Sequence, residues 1–390
     1  MNKYRIGSIT KDEINGYRVI IGADFVPTES NRELVTEGRI EELMGSELYS
    51  IVMAADYRIF NLEAPITDEK NKIKKEGSPN LKIYRESTNI FSKMYPMLLA
   101  SANNHIRDYG EKGITDTIDI LRSINIDYVG FGKKNEVKKI HYQQIGNVKI
   151  GVYAFAENEY SVATEYFGGA NGFDECDTFD EIAEAAKSCA YLIVLFHGGC
   201  ENYRYPSPNQ MKICRKLVDK GADLVVCQHS HCIGTYESYG NGIIVYGQGN
   251  FLFDALDIEE WKSSVLLEVD FCEKSINFIP VCKIGNRVRL ATNKEAEQIS
   301  QCLLERCREC RNHDFVKTTW GRFAEKQQTT LLLRGVLGKT SPIIFALNKV
   351  MKGKLLNILV RKKHKRLLYN YLRGESIRER ILYLLKEEEE

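Results

Sequence analysis

An α/β fold is predicted by three observations. Short apolar runs alternate with helical patterns from Arg18 to Val269. Strand signals stop after Arg289, and the remaining chain reads as helix. Polar residues with metal-binding or hydrogen-bonding side chains stand directly after several of the apolar runs. In α/β cores, ligands gather beyond the carboxyl ends of strands, which is where these residues fall.

Each element follows from local pattern. Arg18 to Gly22 reads as a buried strand leading to Asp24, and Arg58 to Leu62 as another leading to Glu63. Met97 to Ala102 runs into Asn103-Asn104-His105. A helix is expected from Glu111 to about Ser123, with Ile114, Ile118 and Leu121 on one face. Val148 to Ala154 is a strand, and Glu181 to Cys189 is helical. Leu192 to Phe196 is a strand that delivers His197. Ser207-Pro208 opens a helix striped by Met211, Cys214, Leu217 and Val218, and Gly221 ends it. Leu224 to Cys227 delivers Gln228-His229-Ser230-His231, and Ile243 to Val245 precedes Gly247-Gln248-Gly249-Asn250. Val265 to Val269 and Phe278 to Ile284 are late strands, and Glu295 to Arg311 is a helix. Two domains are expected, 1–292 and 293–390.

Composition narrows the class. The 390 residues are 43% hydrophobic, enough for a substantial core, and the net charge of +1 names no partner. No apolar run approaches the roughly 18 residues that a membrane helix needs. Polar sequence follows Met1-Asn2-Lys3-Tyr4-Arg5, so no signal peptide is expected. A cytoplasmic protein, peripheral to the membrane at most, is the expectation. The 11 cysteines are scattered, and Cys302, Cys307 and Cys310 are spaced for different faces of a helix. They read as reduced core thiols, not as a zinc knuckle.

The chemistry lies in the residues past the strands. The chain has seven histidines, and His105, His197, His229 and His231 all stand in such segments. Imidazole is the usual nitrogen ligand for transition metals. Asp24 and Glu63 add carboxylates, and the two oxygens of Glu63 could bridge a pair of cations. Asn104 adds an amide oxygen. Mixed carboxylate, amide and imidazole ligation suits Mn, Fe or Zn better than Ca. The expected cofactor is therefore a divalent metal, with two ions accommodated by the donor set.

The ordered set resembles the CapA family of capsule-synthesis and poly-gamma-glutamate-biosynthesis proteins, within the calcineurin-like metallophosphoesterases. The resemblance runs from Gly22-Ala23-Asp24 through Asn61-Leu62-Glu63-Ala64-Pro65 to Asn103-Asn104-His105 with Asp108, Gly110 and Gly113. It continues through His197-Gly198-Gly199 with Glu201, His229-Ser230-His231, and Gly249-Asn250-Phe251 with Phe253 and Asp254. It implies a metallophosphoesterase-like α/β sandwich with a C-terminal helical extension that the resemblance does not cover. Asp24, Glu63, Asn104, His197, His229 and His231 look like the metal ligands, and His105 like the catalytic histidine beside them. The pattern's first motif has a histidine two residues after the aspartate, where this chain has Val26; Asn61 or water could complete that site. Asn61, Asn103, Glu201 and Asn250 match the family pattern and are further candidates for substrate contact. Substrate identity would lie in the loops after Asn158, after Cys200, and around Lys70 to Pro79, with Tyr203, Arg204 and Tyr205 as candidates.

Three functions fit these features. One is a metal-dependent hydrolase of a phosphorylated or polymeric substrate, serving capsule or cell-envelope polymer synthesis. A second is a non-hydrolytic accessory or binding component of a polymer synthesis complex. The third, ligation on a polyglutamate-like chain, is disfavoured because no Gly-rich Gly-Lys-Ser/Thr loop is present. Gly353 to Glu390 reads as helical, with a basic block at Arg361 to Arg366, an acidic end at Glu387 to Glu390, and apolar positions Leu355, Leu356, Leu359, Leu367, Leu368 and Leu372. Such a pattern suits an anionic membrane surface or a protein of the synthesis complex. No aromatic platform accompanies the block, so nucleic acid is not expected.

Overall fold

The computed structural model describes residues 3–6, 17–75, 78–133, 136–253, 258–271, 273, 275–338 and 341–385. Asp254 and Glu387 to Glu390 lie outside the described residues. The chain divides into two compact units, Met1–Val316 and Lys317–Glu390.

Among the described residues, all the strands lie in the first unit. They are β1 (Lys3–Ile6), β2 (Arg18–Phe25), β3 (Tyr57–Leu62), β4 (Met97–Ala100), β5 (Asp127–Val129), β6 (Phe131–Gly132), β7 (His141–Ile145), β8 (Val148–Ala156) and β9 (Gly169–Ala170). Then come β10 (Tyr191–His197), β11 (Leu224–Gln228), β12 (Tyr236–Tyr239), β13 (Gly242–Val245), β14 (Asn250–Leu252), β15 (Ser263–Asp270), β16 (Ser275–Ile284) and β17 (Arg287–Leu290). One sheet has the order β1-β16-β15-β2-β3-β4-β5, with β14 also on β2 and β17 on β16. The other has the order β12-β13-β11-β10-β8-β7. A short pair, β6 and β9, stands apart.

Side-chain alternation explains why two sheets form a sandwich. On β8, β10, β11 and β13, Ile150, Val152, Ile193, Leu195, Leu224, Val226, Ile243 and Val245 join β2, β3 and β4 in one continuous core. Their neighbours in sequence, Tyr153, Phe155, Leu192, Val194, Phe196, Val225, Cys227 and Ile244, point to the other face. That face is covered by Ile182 and Ala185 of helix Thr178–Lys187, and by Cys214, Leu217 and Val218 of helix Pro208–Asp219. The second helix starts as its sequence requires. The Ser207 hydroxyl accepts from the Gln210 amide at 3.0 Å, and Pro208 occupies the first turn.

Two features place the site. The strands β2, β3 and β4 run parallel, and so do β8, β10 and β11, so each set aligns its carboxyl ends. The side chain of Gln228 then ties β11 to the opposite sheet by donating to the Gly22 carbonyl at 3.1 Å, while Gln248 donates to Ile21 at 2.9 Å and Val265 at 3.1 Å. The helix expected from Glu111 spans Gly110–Ser123 and buries Ile114, Ile118 and Leu121. The ten described cysteines are free, and Cys302, Cys307 and Cys310 differ in burial, as expected of separate helix faces.

The change from strand to helix falls between Leu290 and Asn293, where the sequence puts it. The boundary between compact units falls later. Helix Asn293–Cys310 sinks Leu303 and Cys307 into the main core, so it belongs to the first unit. In the second unit, the helical stretch from Gly353 is broken into Lys354–Leu359, Lys362–Arg373 and Glu375–Leu385. Arg361 is extended and Gly374 has ψ near 110°, so one continuous stripe of leucines does not exist. Leu356 joins Leu333 and Val360 in a small separate core, whereas Leu367 and Leu372 are exposed. Among the described residues no helix is long and apolar enough to cross a membrane.

Candidate metal centre

The site is built where strands end. Asp24 sits near the end of β2, Glu63 follows β3, His197 closes β10, and His229 and His231 follow β11. Gly22 makes the close approach of β2 and β3 possible. A Cβ there would stand 2.0 Å from Cε1 of Phe60, whose ring packs with Phe25 and Phe251. The turn after β11 is strained. His229 has φ +88° and His231 φ +55°, a region that bulky side chains rarely enter. That turn aims both imidazoles back into the centre, and strain held in this way clusters at functional sites.

The donors form two groups that share one residue. Glu63, His197 and His229 bring ligand atoms within 4.8 Å of one another, and so do Asp24, Glu63 and His231. Asn104 adds its oxygen 3.1 Å from His197 Nε2. His197 Nε2 stands 3.4 Å from Glu63 Oε1, and His231 Nδ1 stands 3.3 Å from Asp24 Oδ2. Both oxygens of Glu63 and Oδ2 of Asp24 are buried without a hydrogen-bond partner. Unpartnered carboxylate oxygens in a protein interior are costly, and a cation would satisfy them. The residues therefore fit a metal. Val26 is buried, and its amide donates to Leu252 at 2.6 Å, so that position serves packing. Asp24, Glu63 and His231 make a three-donor group without it.

Burial and proximity set the charges. Burial first, then the charge of Asp24, pushes the Glu63 carboxyl well above the usual carboxylate range. Burial pushes His197 down to about 3, and pushes His229 down in the same direction. Burial opposes charge on His231 too, but Glu63 and Asp24 outweigh it and hold the imidazole up to about 9. Asp24 is lowered in turn: burial would raise it, and the close approach of the charged His231 imidazole prevails.

His105 lies beside these donors with a partner of its own. Its Nδ1 is 2.7 Å from Asp108 Oδ2, which also accepts from the Leu81 amide at 2.6 Å. Lys75 ion-pairs with Asp108 and donates to the Asn104 carbonyl at 2.7 Å. With Nδ1 engaged, Nε2 is the nitrogen left to meet a substrate.

The remaining candidates divide. Asn61 donates to Asp24 Oδ1 at 2.7 Å and its amide meets His197 Nδ1 at 3.2 Å, so it orients two donors. Asn250 Oδ1 stands 2.8 Å from His231 Nδ1 and orients a third. Asn103 is fully buried; its amide goes to Leu62 and Asn61, and its oxygen receives the His105 amide. It shapes the loop and leaves no free atom for a substrate. Glu201 is exposed, and its charge acts on Glu63 and Glu159. Tyr203 is buried with its ring 5.9 Å from Tyr205, and Arg204 is half-buried. Tyr205 donates to Glu309 at 2.6 Å and so anchors its loop to helix Asn293–Cys310.

Sequence reasoning missed Glu157 and Glu159, which form a third donor group with His229. Glu157 follows β8 directly, the same signal that picked out Glu63 after β3. Burial, with Glu159 nearby, pushes Glu157 up to about 7. It also missed Lys75 and Trp261. The Trp261 ring packs 4.7 Å from His231, and its Nε1 donates to Asn202 at 2.8 Å. Nothing in local pattern announces either one.

The family described as bacterial capsule synthesis protein PGA_cap matches residues 24–255. This chain belongs to the PGA_cap family. All of the candidate donors described above, from Asp24 to His231, lie inside that stretch, and the helices from Asn293 on lie outside it. The PGA biosynthesis protein CapA of Bacillus subtilis is 32% identical over 226 residues, 57% of this chain and 60% of that relative. The capsule biosynthesis protein CapA of Bacillus anthracis is 34% identical over 209 residues, 51% of each chain. This PGA_cap chain thus spans little more than half the length of these relatives. Among solved structures, a phosphatase from Mycoplasma pneumoniae aligns with 70% of this chain and 95% of its own, at 12% identity and a TM-score of 0.43. A purple acid phosphatase from yellow lupin seeds aligns with 73% of this chain and 55% of its own, at 13% identity and a TM-score of 0.34.

Proposed function

We propose that this PGA_cap protein is a metal-dependent phosphoester hydrolase with a dinuclear centre, acting in the synthesis of a capsule or cell-envelope polymer. The observation that carries the reading is Glu63, shared by two donor groups with both oxygens buried and unpartnered. Glu63, His197, His229 and Asn104 would hold one ion, and Asp24, Glu63 and His231 the other. Such ions supply Lewis acidity toward a phosphoryl oxygen and lower the pKa of water. Against the two carboxylates, two dications leave an excess of positive charge, which suits an anionic phosphoester. Mn, Fe and Zn match the mixed donor set.

The chain's own residues do the rest. Asn61 and Asn250 orient the donor imidazoles. Asp108 engages His105 Nδ1, which directs Nε2 toward a leaving oxygen as proton donor. Lys75 balances the charge of Asp108. The capsule assignment rests on family membership and on the names of the two CapA relatives.

The test is elemental analysis of protein purified without chelators, followed by a screen of phosphomonoesters and phosphodiesters with and without added Mn. Bound transition metal, turnover, and loss of both in His229→Ala are expected. Bound metal without turnover on any phosphoester would leave the accessory role as the better account. No bound metal, together with an unaffected His229→Ala variant, overturns the site.

A second expectation concerns pH. Without metal, burial and the charge of Asp24 favour the protonated form of Glu63, and His231 is charged below about 9. A cation requires both groups deprotonated, while His197 and His229 are already neutral. Metal binding should therefore release protons at neutral pH, and affinity should rise with pH until His231 loses its proton. Titration calorimetry with Mn in Tris and in HEPES measures the release. Equal heats in the two buffers at neutral pH, after correction for dilution, would contradict it.

A further inference from the structure

We infer that helix Lys362–Arg373 is a docking surface for an anionic lipid bilayer. The first observation is charge. Residues 317–390 carry 17 Lys and Arg against seven Asp and Glu, in a chain whose net charge is only +1. The rest of the chain is therefore net acidic, and the positive charge is segregated into the second unit. Asymmetry of this kind points to an anionic surface as partner.

The second observation is the arrangement on the helix. At 100° per residue, Leu367, Leu368, Tyr371 and Leu372 fall within one sector of Lys362–Arg373. Lys362, Lys363, Lys365, Arg366 and Arg373 fill the opposite one. A helix of a globular core would bury the first sector. This one has no buried residue: Leu367 is 47% exposed, Leu372 56% and Tyr371 39%. The second unit closes its own small core without it, through Leu333, Leu356 and Val360. Exposed apolar positions also occur on other helices of the second unit, at Ile343, Leu347, Val350 and Ile358.

The combination selects the occupant. A helix with an apolar face, a cationic face and low overall hydrophobicity lies in the plane of a bilayer interface. Its leucines enter the acyl boundary, tyrosine sits at the headgroup level, and the cations meet anionic headgroups. A second copy of the same helix would cover the apolar face and leave the cationic face without an anionic partner. Lipid answers both faces at once. The reading is independent of hydrolysis, because none of these residues lies near the metal donors in sequence or falls in the matched stretch.

The test uses the full chain in co-sedimentation with vesicles of equal parts phosphatidylglycerol and phosphatidylcholine, with pure phosphatidylcholine vesicles as control. Binding to the anionic vesicles only, weakening as salt rises, is expected, since the attraction is screened over about 10 Å at 0.1 M. The combined K362Q, K363Q, K365Q and R366Q variant should lose at least about a hundredfold in partitioning, since each cation near such a surface is worth roughly a fivefold change. The L367Q and L372Q double variant should lose at least about tenfold with every charge retained. None of these residues is buried, and all but the half-buried Lys365 are exposed, so circular dichroism and the melting temperature should not move. Failure of the wild-type chain to bind anionic vesicles at low salt overturns the proposal. So does binding that the leucine variant leaves intact, which would mean adsorption of charge alone. Self-association through this helix, abolished by the leucine variant without vesicle binding, overturns it as well.

Discussion

Glu63→Gln is expected to abolish metal binding and to lower phosphoesterase turnover by about 10³-fold or more, the scale of several kcal/mol of lost transition-state stabilisation. The same change should raise the melting temperature of the metal-free protein. These opposite signs follow from one fact. Glu63 is completely buried, and neither oxygen has a hydrogen-bond partner. Its carboxyl is pushed well above the usual range by burial and by Asp24. A group raised in this way favours the folded state at low pH, and that contribution is lost as pH rises from the ordinary carboxylate value through the raised one. The metal-free wild type should therefore weaken over that window, and the glutamine variant should not. With metal present the order reverses, because the wild type alone gains the binding energy. Thermal melts with chelator and with Mn, from mildly acidic to mildly alkaline pH, measure both effects. Equal stabilisation of both proteins by Mn would show that Glu63 is not a ligand.

His105→Ala is expected to lower turnover by roughly 10²-fold or more, the usual worth of positioned acid catalysis. Metal content and melting temperature should stay near wild type. His105 is not a member of either donor group that contains Glu63, and its loss leaves Asp108 paired with Lys75 and the Leu81 amide. Asp108→Asn separates positioning from chemistry: it keeps the shape and removes the carboxylate that engages His105 Nδ1. That variant should lower kcat with little change in KM, and metal content should stay near wild type. Undiminished turnover in His105→Ala, with metal bound, would remove the histidine from the mechanism.

Much of this site is legible in the amino-acid sequence. Asp24, Glu63, His197, His229 and His231 each stand at or just after an apolar run, and each run is a strand of a parallel set. Glu157 carries the same signal after β8, yet only its approach to His229 across the fold makes it a donor. Lys75 falls within the Lys70 to Pro79 loop but nothing in local pattern singles it out, and Trp261 reaches the site from a short 3-10 helix, Glu259–Lys262, with too few residues for a periodicity to read. Asn103 reads as a substrate contact, and the structure engages its side chain with Leu62, Asn61 and the His105 amide, because a buried amide and a presented one look alike in sequence. The C-terminal leucines suggest one stripe, but breaks at Arg361 and Gly374 divide them between a small core and an exposed face.

By itself the sequence determined which segments are buried, where they stop, and which donors follow them, because alternation and caps are local consequences of backbone geometry and of the hydrophobic effect. Only the tertiary structure decided how those donors combine. That Glu63 is shared, that Asp24 pairs with His231 and not His197, and that Asn61 joins Asp24 to His197 all depend on strand order and on Gln228 crossing from one sheet to the other. Distances between strand ends far apart in the chain are set by the packing of two whole sheets, and no short window of residues contains that information.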